Sequence, residues 1–423
     1  MFWLVESEDQ IKRFYQSSFK EAFVEVIPYN NNIHPTQNQI CAIYIRPLVS
    51  TKGFVVPISH SETLNVNIDN IKHLLNNYNT LYVRDKKEFL HYFPLKTLFD
   101  ITLNSHTYIQ QYTQTHSYFY SKMGSKKDIN RIIPIVKHYE YCENMFNELK
   151  DKINEPINEF NNTKTTVVFN ALERSGIRIN REKFKSYFHD VDGEYAYTQF
   201  NFKTTTGRPS NKFRGVNYAA IPKENGSRES FIPRNDVLLE LDISAYHPTL
   251  LAKLVGYDFG DEDIHSAFAK MYKVDYQKAK ELTFKQLYGG VFDKYKDLEF
   301  FKKVQVYTDD LWECFQNEGS IKCPISGHVY DKEKLEKEGN EMKPQKLLNY
   351  LLQNLETSYN VCILWEILKL LKNAKTKLVL YTYDSFLFDF DKGEKELYSK
   401  IEEIFKSYKL QIKVNYGDTY NFK

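Results

Sequence analysis

Val237-Leu238-Leu239-Glu240-Leu241-Asp242-Ile243-Ser244-Ala245-Tyr246-His247 is the stretch on which the reading of this chain turns. An apolar run leads into Asp242, the pattern of a strand that delivers a carboxylate at its end. A second stretch repeats the design: Leu378-Val379-Leu380-Tyr381-Thr382-Tyr383-Asp384-Ser385-Phe386-Leu387 reads as a hairpin with Asp384 at its turn. Two carboxylates brought together by folding can hold divalent ions. Between them, Lys280-Glu281-Leu282-Thr283-Phe284-Lys285-Gln286-Leu287-Tyr288-Gly289 reads as a helix. At 100° per residue, Lys280, Phe284 and Tyr288 fall within about 80° of arc, so one face presents a cation and two rings. Each feature alone has an ordinary explanation: an acid caps a turn, and an aromatic stripe packs a core. Their order along one chain gives them weight.

Length and composition set the frame. At ~100–200 residues per domain, 423 residues suggest two to four domains. A hydrophobic fraction of 42% is enough for real cores, and most of the 32 Tyr and 30 Phe belong in them; stacking on bases is the rarer use. A net charge of +2 excludes a histone-like or tail-driven binder. Nucleic-acid binding then needs a local basic groove. The cysteines (Cys41, Cys142, Cys314, Cys323, Cys362) are odd in number and form no CxxC pair, which argues against a zinc ribbon or a disulfide scaffold and suits a reducing compartment. No segment approaches the ~20 apolar residues of a membrane span, and Met1–Lys20 does not resemble a signal peptide. The expectation is a soluble, cytoplasmic chain (host cytoplasm if viral) with no membrane partner.

Residues 1–120 alternate short strands and helices, as in an α/β domain. Strands are expected at Ala22–Ile27, Gln39–Arg46, Gly53–Ile58 and Thr80–Val83, and helices at Asn70–Asn77 and from Lys86 to Tyr92. The polar, basic Ser121–Asp128 opens a linker and helical connector over 121–164. Helices follow at Ile132–Lys152 and Thr166–Ser175, the latter stopped by Gly176. Phe200–Ser210 is β and turn, Asp263–Phe292 mostly helical, Phe300–Asn317 a half-buried helix, and Ser320–Tyr330 a hairpin. Gln345–Leu371 is a long helix with an apolar face. After the Asp384 hairpin come a helix over Glu394–Ser407 and a strand over Leu410–Tyr416.

Residues 165–423 resemble the polymerase domain of A-family DNA polymerases, the polymerase I type. Separate elements carry the resemblance in the family's order. Leu172-Glu173-Arg174-Ser175-Gly176-Ile177-Arg178-Ile179-Asn180 resembles the helix and turn that open that domain. Thr204-Thr205-Thr206-Gly207-Arg208-Pro209-Ser210 and Asn217-Tyr218-Ala219-Ala220-Ile221-Pro222 resemble the stretches that contact primer and template. Asp242 heads the first catalytic motif, and Tyr383-Asp384-Ser385 matches the family's His-Asp-Glu turn. The helix at 280–289 resembles the fingers helix.

The resemblance implies roles by position. Asp242, the Ile243 carbonyl and Asp384 hold two Mg²⁺ ions, with Mn²⁺ as an alternative. Lys280 binds the incoming triphosphate and can protonate pyrophosphate. Phe284, Tyr288, Arg228, Ser244, Tyr246 and His247 surround the nucleotide. Thr206, Gly207, Arg208, Asn217, Asn349 and Gln353 contact DNA. Side-chain amides of the last kind can check base-pair shape in the minor groove. The partners implied are primer–template DNA, dNTPs and a processivity or replisome protein.

The chain departs from the family at several places. The second acid of the last motif is Ser385. The glutamate five residues after the first aspartate, which crowds a ribose 2′-hydroxyl, is His247, so His247 or Tyr246 serves as the gate. Tyr276 replaces an arginine, with Lys278 as a substitute, and Lys223 or Glu224 replaces another. About thirty residues separate Gly176 from Gly207, where the family places a much longer helical thumb. The thumb is therefore expected to be largely absent and the unaided grip on duplex weak. Residues 20–150 resemble the family's 3′–5′ exonuclease, with Phe99-Asp100-Ile101-Thr102-Leu103 in order. Its first strand reads Val24-Glu25-Val26-Ile27, so one acid of the required Asp-x-Glu pair is missing. Glu25, Glu88, Asp100 and Glu140 or Glu143 do not make a convincing set.

The expected fold is α/β and α+β multidomain. It combines a right-hand polymerase (palm with antiparallel sheet over 200–260 and 340–423, helical fingers over 261–339, reduced thumb) with a degenerate N-terminal RNase H-like domain of exonuclease type. The expected function is that of a compact, phage-like or plasmid-type DNA polymerase without proofreading. The alternatives are a single-subunit RNA polymerase or primase-like enzyme and an inactive accessory that binds primer–template.

Overall fold

Alternation along Glu21–Pro28 (β2) sets the first half of the molecule. Every residue of this strand but Glu21 is buried. Ala22, Val24 and Val26 join one apolar cluster with Ile11, Ile71, Leu74 and Phe89. Phe23 and Ile27 join a second with Tyr141, Cys142 and Phe146. A strand buried on both faces belongs inside a sheet covered by helices on each side. In a computed structural model of the chain, residues 3–15, 21–94, 106–108, 129–154, 157–260, 262–337 and 341–422 are described. The expectations placed on Phe99–Leu103, Asp100 included, and on the linker Ser121–Asp128 lie outside those residues.

The chain divides into two compact units, Met1–Arg174 and Ser175–Lys423. In the first, β1 (Trp3–Leu4), β2, β3 (Ile40–Pro47), β4 (Phe54–Pro57), β5 (Thr80–Val83) and β6 (His106–Tyr108) form a mixed sheet in the order β1-β4-β3-β2-β5-β6. β2, β3 and β4 are antiparallel neighbours, and β5 and β6 continue parallel to β2. Helices α1 (Glu8–Tyr15), α2 (Ile68–Leu75) and α3 (Lys86–Tyr92) cover one face and α4 (Ile135–Leu149) the other. The sequence reading missed α1. The unit boundary falls at the last turn of α5 (Thr166–Ser175), which a π-helical turn at Asn161–Thr165 precedes.

Several buried charges in this unit are paired. Arg84 bonds Glu25 at 3.0 Å and Glu88 at 2.9 Å. Glu143 accepts from the Tyr44 hydroxyl at 2.8 Å, Arg46 at 2.8 Å and the Gly53 N–H at 2.7 Å. A Cβ at residue 53 would lie 2.4 Å from the Tyr44 ring, so only glycine brings that N–H to the carboxylate. Glu140 pairs with Lys137 at the surface.

The second unit is built on a four-stranded antiparallel sheet in the order β15-β16-β12-β17. It opens with β7 (Ile177–Arg178), α6 (Arg181–Tyr187), β8 (Tyr195–Ala196) and β9 (Phe200–Asn201), so the stretch between Gly176 and Gly207 holds a single short α-helix. β10 (Ser210–Phe213) and β11 (Val216–Asn217) follow, then β12 (Val237–Ile243) and α7 (Tyr246–Leu254). A helical stretch comes next: α8 (Ile264–Tyr272), α9 (Tyr276–Gly289) and α10 (Glu299–Glu318). The hairpin β13 (Ser320–Lys322) and β14 (Val329–Asp331) leads through α11 (Lys332–Lys337) to α12 (Pro344–Leu370). β15 (Lys377–Thr382), β16 (Ser385–Phe390), α13 (Lys395–Ser407) and β17 (Ile412–Gly417) close the chain. Among the described residues no helix is long and apolar enough to cross a membrane.

α12 is buried nearly all round through its middle, from Leu347 to Leu368. A helix in that position is a core element rather than a half-buried surface one. Its polar residues Asn354, Glu356 and Asn360 are therefore buried as well. Buried polar groups cost free energy unless they are hydrogen-bonded, and all three have partners in the loops described below. At the far end of the sheet, buried Asp389 accepts from the backbone N–H groups of Arg234 and Asn235 and from the Arg234 guanidinium. Arg234 also donates to the Ser175 and Gly176 carbonyls. Asp389→Ala leaves these donors without their acceptor and should cost about 3 kcal/mol of stability, read as a lower midpoint in urea unfolding with an unchanged slope.

Candidate active site

The β12–β16 register brings the two acidic stretches together. Asp242 lies opposite Ser385 on β16 and opposite Lys413 on β17. Just beyond, the Ile243 N–H donates to the Asp384 carbonyl at 2.8 Å. The acids thus stand at the same end of neighbouring strands, although the sequence places them far apart. The β15–β16 connection is a two-residue turn, Tyr383-Asp384, between the paired Thr382 and Ser385. Tyr383 adopts φ 61°, where a side chain is strained. Two contacts hold it there: Asn360 on α12 donates to its carbonyl at 2.6 Å, and the Arg208 guanidinium lies 3.6 Å over its ring. On the other side, Ala245 turns the chain with φ 46° and starts α7, which delivers Tyr246 and His247.

Asp242, Asp384, Lys280, Phe284, Tyr288 and His247 line one cavity of ≈ 200 Å³. Ile243, Ser244, Tyr246 and Arg208 complete the expected part of its wall. The Phe284 and Tyr288 rings lie nearly parallel, 5° apart in plane with centroids at 6.1 Å, as their spacing on α9 predicts. Glu356, His265 and Lys413 also line the cavity, and the sequence reading did not single them out. Glu356 looks like one polar position on an apolar helix, and only its depth marks it. His265 sits on α8 against Phe284, and its Nδ1 is buried with no protein partner among the described residues.

The other expected residues sit elsewhere in the unit. Arg228 lies 4.4 Å over the Tyr420 ring and donates to the Ile221 carbonyl at 3.1 Å, and it does not line the cavity. Thr206 and Gly207 shape the turn that presents Arg208. Gly207 has φ 70°, and a Cβ there would meet Asn354 Nδ2 at 2.4 Å. That same amide donates to the Thr206 carbonyl at 2.8 Å. Asn217 is exposed at the end of β11. Asn349 donates to the Tyr288 carbonyl at 3.3 Å, and Gln353 is half-buried one turn further along α12. Tyr246 directs its hydroxyl to Asn360 at 2.8 Å, inside the core. Lys278 pairs with Glu281 at the surface. Ser385 donates to buried Glu240 at 2.8 Å, and Glu240 also accepts from Asn415.

Burial and the neighbouring Asp242 push the Asp384 carboxyl up to about 6, with Glu356 adding to the effect. Burial and Glu240 raise Asp242 as well, against the opposing charges of Lys223, Lys413 and Lys280. Two neighbouring acids, Asp384 held up by burial and by Asp242, and Asp242 by burial and by Glu240, are poised to accept a cation. Among the described residues no cluster of three or more protein ligands forms a closed cage. A pair of hard carboxylates suits Mg²⁺ or Mn²⁺, which take one or two carboxylates and leave positions for other oxygens.

No family model matches the chain, and no curated protein is similar to it. Among solved structures, the chain is similar to the POL domain of Pol1 from M. smegmatis, in a complex with DNA primer-template and dNTP. The identity is 13%, 98% of each chain is covered, and the TM-score is 0.67. The likeness extends over nearly the whole chain and gives its fold as that of a polymerase domain.

A cation at this pair would bind the ionised carboxylates, so its affinity should fall as pH drops through about 6, the value to which Asp384 is raised. Calorimetric titration with Mn²⁺ between pH 5 and 7 should show about a tenfold loss per pH unit at the acid end, with proton release on binding. Asp242→Asn should abolish this binding; affinity indifferent to pH across that range would contradict the assignment.

Proposed function

We propose that the chain is a template-directed DNA polymerase of the A family that extends a primer 3′-hydroxyl with dNTPs. One observation carries the reading: Asp242 and Asp384 meet across the β12–β16 pair, in a cavity walled by the Lys280–Phe284–Tyr288 face of α9. The structural neighbour, a polymerase domain in complex with primer-template and dNTP, points the same way.

On this reading residues 200–260 and 340–423 form the palm, 261–339 the fingers, and the thumb is largely absent. Asp242, the Ile243 carbonyl and Asp384 hold two Mg²⁺ ions, which when bound activate the primer hydroxyl and offset charge on the leaving pyrophosphate. The protein's own part is placement and electrostatics. Lys280, with Lys413 beside the cavity, provides the positive side that a triphosphate needs, and Lys280 would give a proton to pyrophosphate. Phe284 and Tyr288 form an aromatic wall for the base and sugar. Arg208, Thr206, Gly207, Asn217, Asn349 and Gln353 are assigned to primer and template, and Arg228, held outside the cavity by Tyr420 and the Ile221 carbonyl, would have to turn to reach the triphosphate.

Residues 1–120 are read as a degenerate exonuclease-like domain. The sheet order β4-β3-β2-β5-β6, with three antiparallel strands followed by two parallel ones, supports an RNase H-like ancestry. Among the described residues, the candidate acids of that domain and of the helix that follows it are paired: Glu25 and Glu88 with Arg84, Glu143 with Tyr44 and Arg46, Glu140 with Lys137. On this reading the enzyme extends without proofreading. With only one short helix between Gly176 and Gly207, its grip on duplex is weak and is completed by a processivity partner or by residues 120–160, in the cytoplasm (a host's, if the chain is viral). A second reading has one observation in its favour: Ser385 stands where the family has an acid, as in a chain that binds primer–template without extending it.

Primer extension decides between them. The wild-type chain with Mg²⁺ or Mn²⁺ should add dNTPs, and Asp242→Ala should lower the rate at least about a thousandfold while leaving primer–template affinity within about threefold. Binding of primer–template with no extension under any of these conditions would support the second reading.

A further inference from the structure

His247 has no free nitrogen. Its Nε2 lies 2.7 Å from Glu356 Oε2, and its Nδ1 lies 2.6 Å from the Tyr288 hydroxyl. Glu356 is 1% exposed, and its other oxygen accepts from Arg208 Nη2 at 3.3 Å. A carboxylate facing a guanidinium accepts hydrogen bonds and donates none. With one proton on the ring, the network puts it on Nε2 and leaves Nδ1 as the acceptor for the Tyr288 hydroxyl. The chain Arg208–Glu356–His247–Tyr288 thus joins the turn before β10, the core helix α12, α7 and α9. Each link fixes the orientation of the next.

We propose that Glu356 is the positioning residue of the nucleotide cavity: it locks His247, and through it the Tyr288 ring, into a rigid wall against the nucleotide sugar whose N–H and O–H donors are already engaged. The inference rests on the polymerase reading and adds the group that sets its sugar selectivity. Tyr246, the other candidate for this role, has its hydroxyl turned to Asn360 in the core.

The physical consequence is specific. An additional hydroxyl buried against this wall gives up its water and finds no donor there, because the His247 Nε2–H and the Tyr288 O–H are both engaged; only the Tyr288 oxygen is left to accept, in a direction that its bond to His247 fixes. A pocket that only withholds a partner rejects an added hydroxyl by about 10²-fold. Rigidity raises that figure, because a wall that cannot turn aside also excludes the hydroxyl sterically. Loosening His247 releases both effects. Its ring can pivot, and Nδ1 or the Tyr288 hydroxyl becomes available to a ribose.

The test compares wild type, His247→Ala, Glu356→Ala and Glu356→Gln. Glu356→Gln keeps the shape and an acceptor oxygen but loses the charge that fixes the tautomer, and it stands in should Glu356→Ala fail to fold. Two ratios are read: kcat/KM for dATP over ATP in primer extension, and Kd for ATP over dATP by titration calorimetry with Mn²⁺, which needs no turnover. The expected result is a strong wild-type preference for dATP that falls at least about tenfold in His247→Ala and Glu356→Ala, with Glu356→Gln between them and wild type. The change should lie mainly in KM for ATP. A merely structural role for Glu356 lowers both nucleotides together and leaves the ratios unmoved. Ratios within about twofold of wild type in both Glu356 variants, or a wild-type chain that binds ATP and dATP equally, would overturn the proposal. A chain that shows the binding preference but extends neither nucleotide would overturn only the polymerase reading.

Discussion

The pairing of β12 with β16 is the constraint on which the rest of the second unit depends. Side chains on a strand alternate faces, so a slip of one residue would send Asp242 to the opposite face of the sheet from its present position. The register is fixed from both ends. At the far end, Asp389 gathers the backbone of Arg234 and Asn235. At the near end, the Ile243 N–H meets the Asp384 carbonyl. Between them, Leu241 and Phe386, both 0% exposed, admit no water and no shift. Asp384 held up by burial and Asp242, and Asp242 by burial and Glu240, are the electrostatic cost of that arrangement, and a divalent cation bound there would offset it.

The second constraint is the core helix α12. Three buried polar residues on it reach the three loops that shape the cavity. Asn354 supports the turn under Arg208, Glu356 holds His247, and Asn360 binds the Tyr383 carbonyl, the Tyr246 hydroxyl and the Tyr381 hydroxyl. Each contact is a modest hydrogen bond with a large penalty if left unmade. This explains how strained backbone at Tyr383 persists beside the acids: Asn360 and Arg208 determine its position from two directions. A helix that is both the hydrophobic centre and the scaffold of the cavity makes stability and function hard to separate by mutation. Selectivity ratios report on the cavity where rates alone do not.

Much of this was legible in the sequence. Apolar runs marked β2, β3, β12 and β16, and the 100° spacing of Lys280, Phe284 and Tyr288 put them on one face of α9. The order of short motifs pointed to a polymerase fold, and the structural likeness agrees with it. What stayed hidden was long-range. Glu356 and Asn360 read as polar interruptions of an apolar helix, because no local pattern reveals which residues a buried acid will meet more than a hundred positions away. His265 and Lys413 carry no motif and enter the cavity only through the packing of α8 and the register of β17. The choice between Tyr246 and His247 could not be made from adjacency, since it depends on which way α7 leaves the turn at Ala245.

The most direct test of the account is where a bound metal sits. Fe²⁺ substituted into the protein and treated with peroxide and ascorbate cuts backbone close to the ion. The account predicts cleavage in one molecule at both stretches, around Asp242 and around Asp384, with both sets of cuts suppressed by excess Mg²⁺ and lost together in Asp242→Asn. Cuts at only one of the two stretches, or cuts at both that Mg²⁺ does not suppress, would contradict the claim that these acids share a cation site.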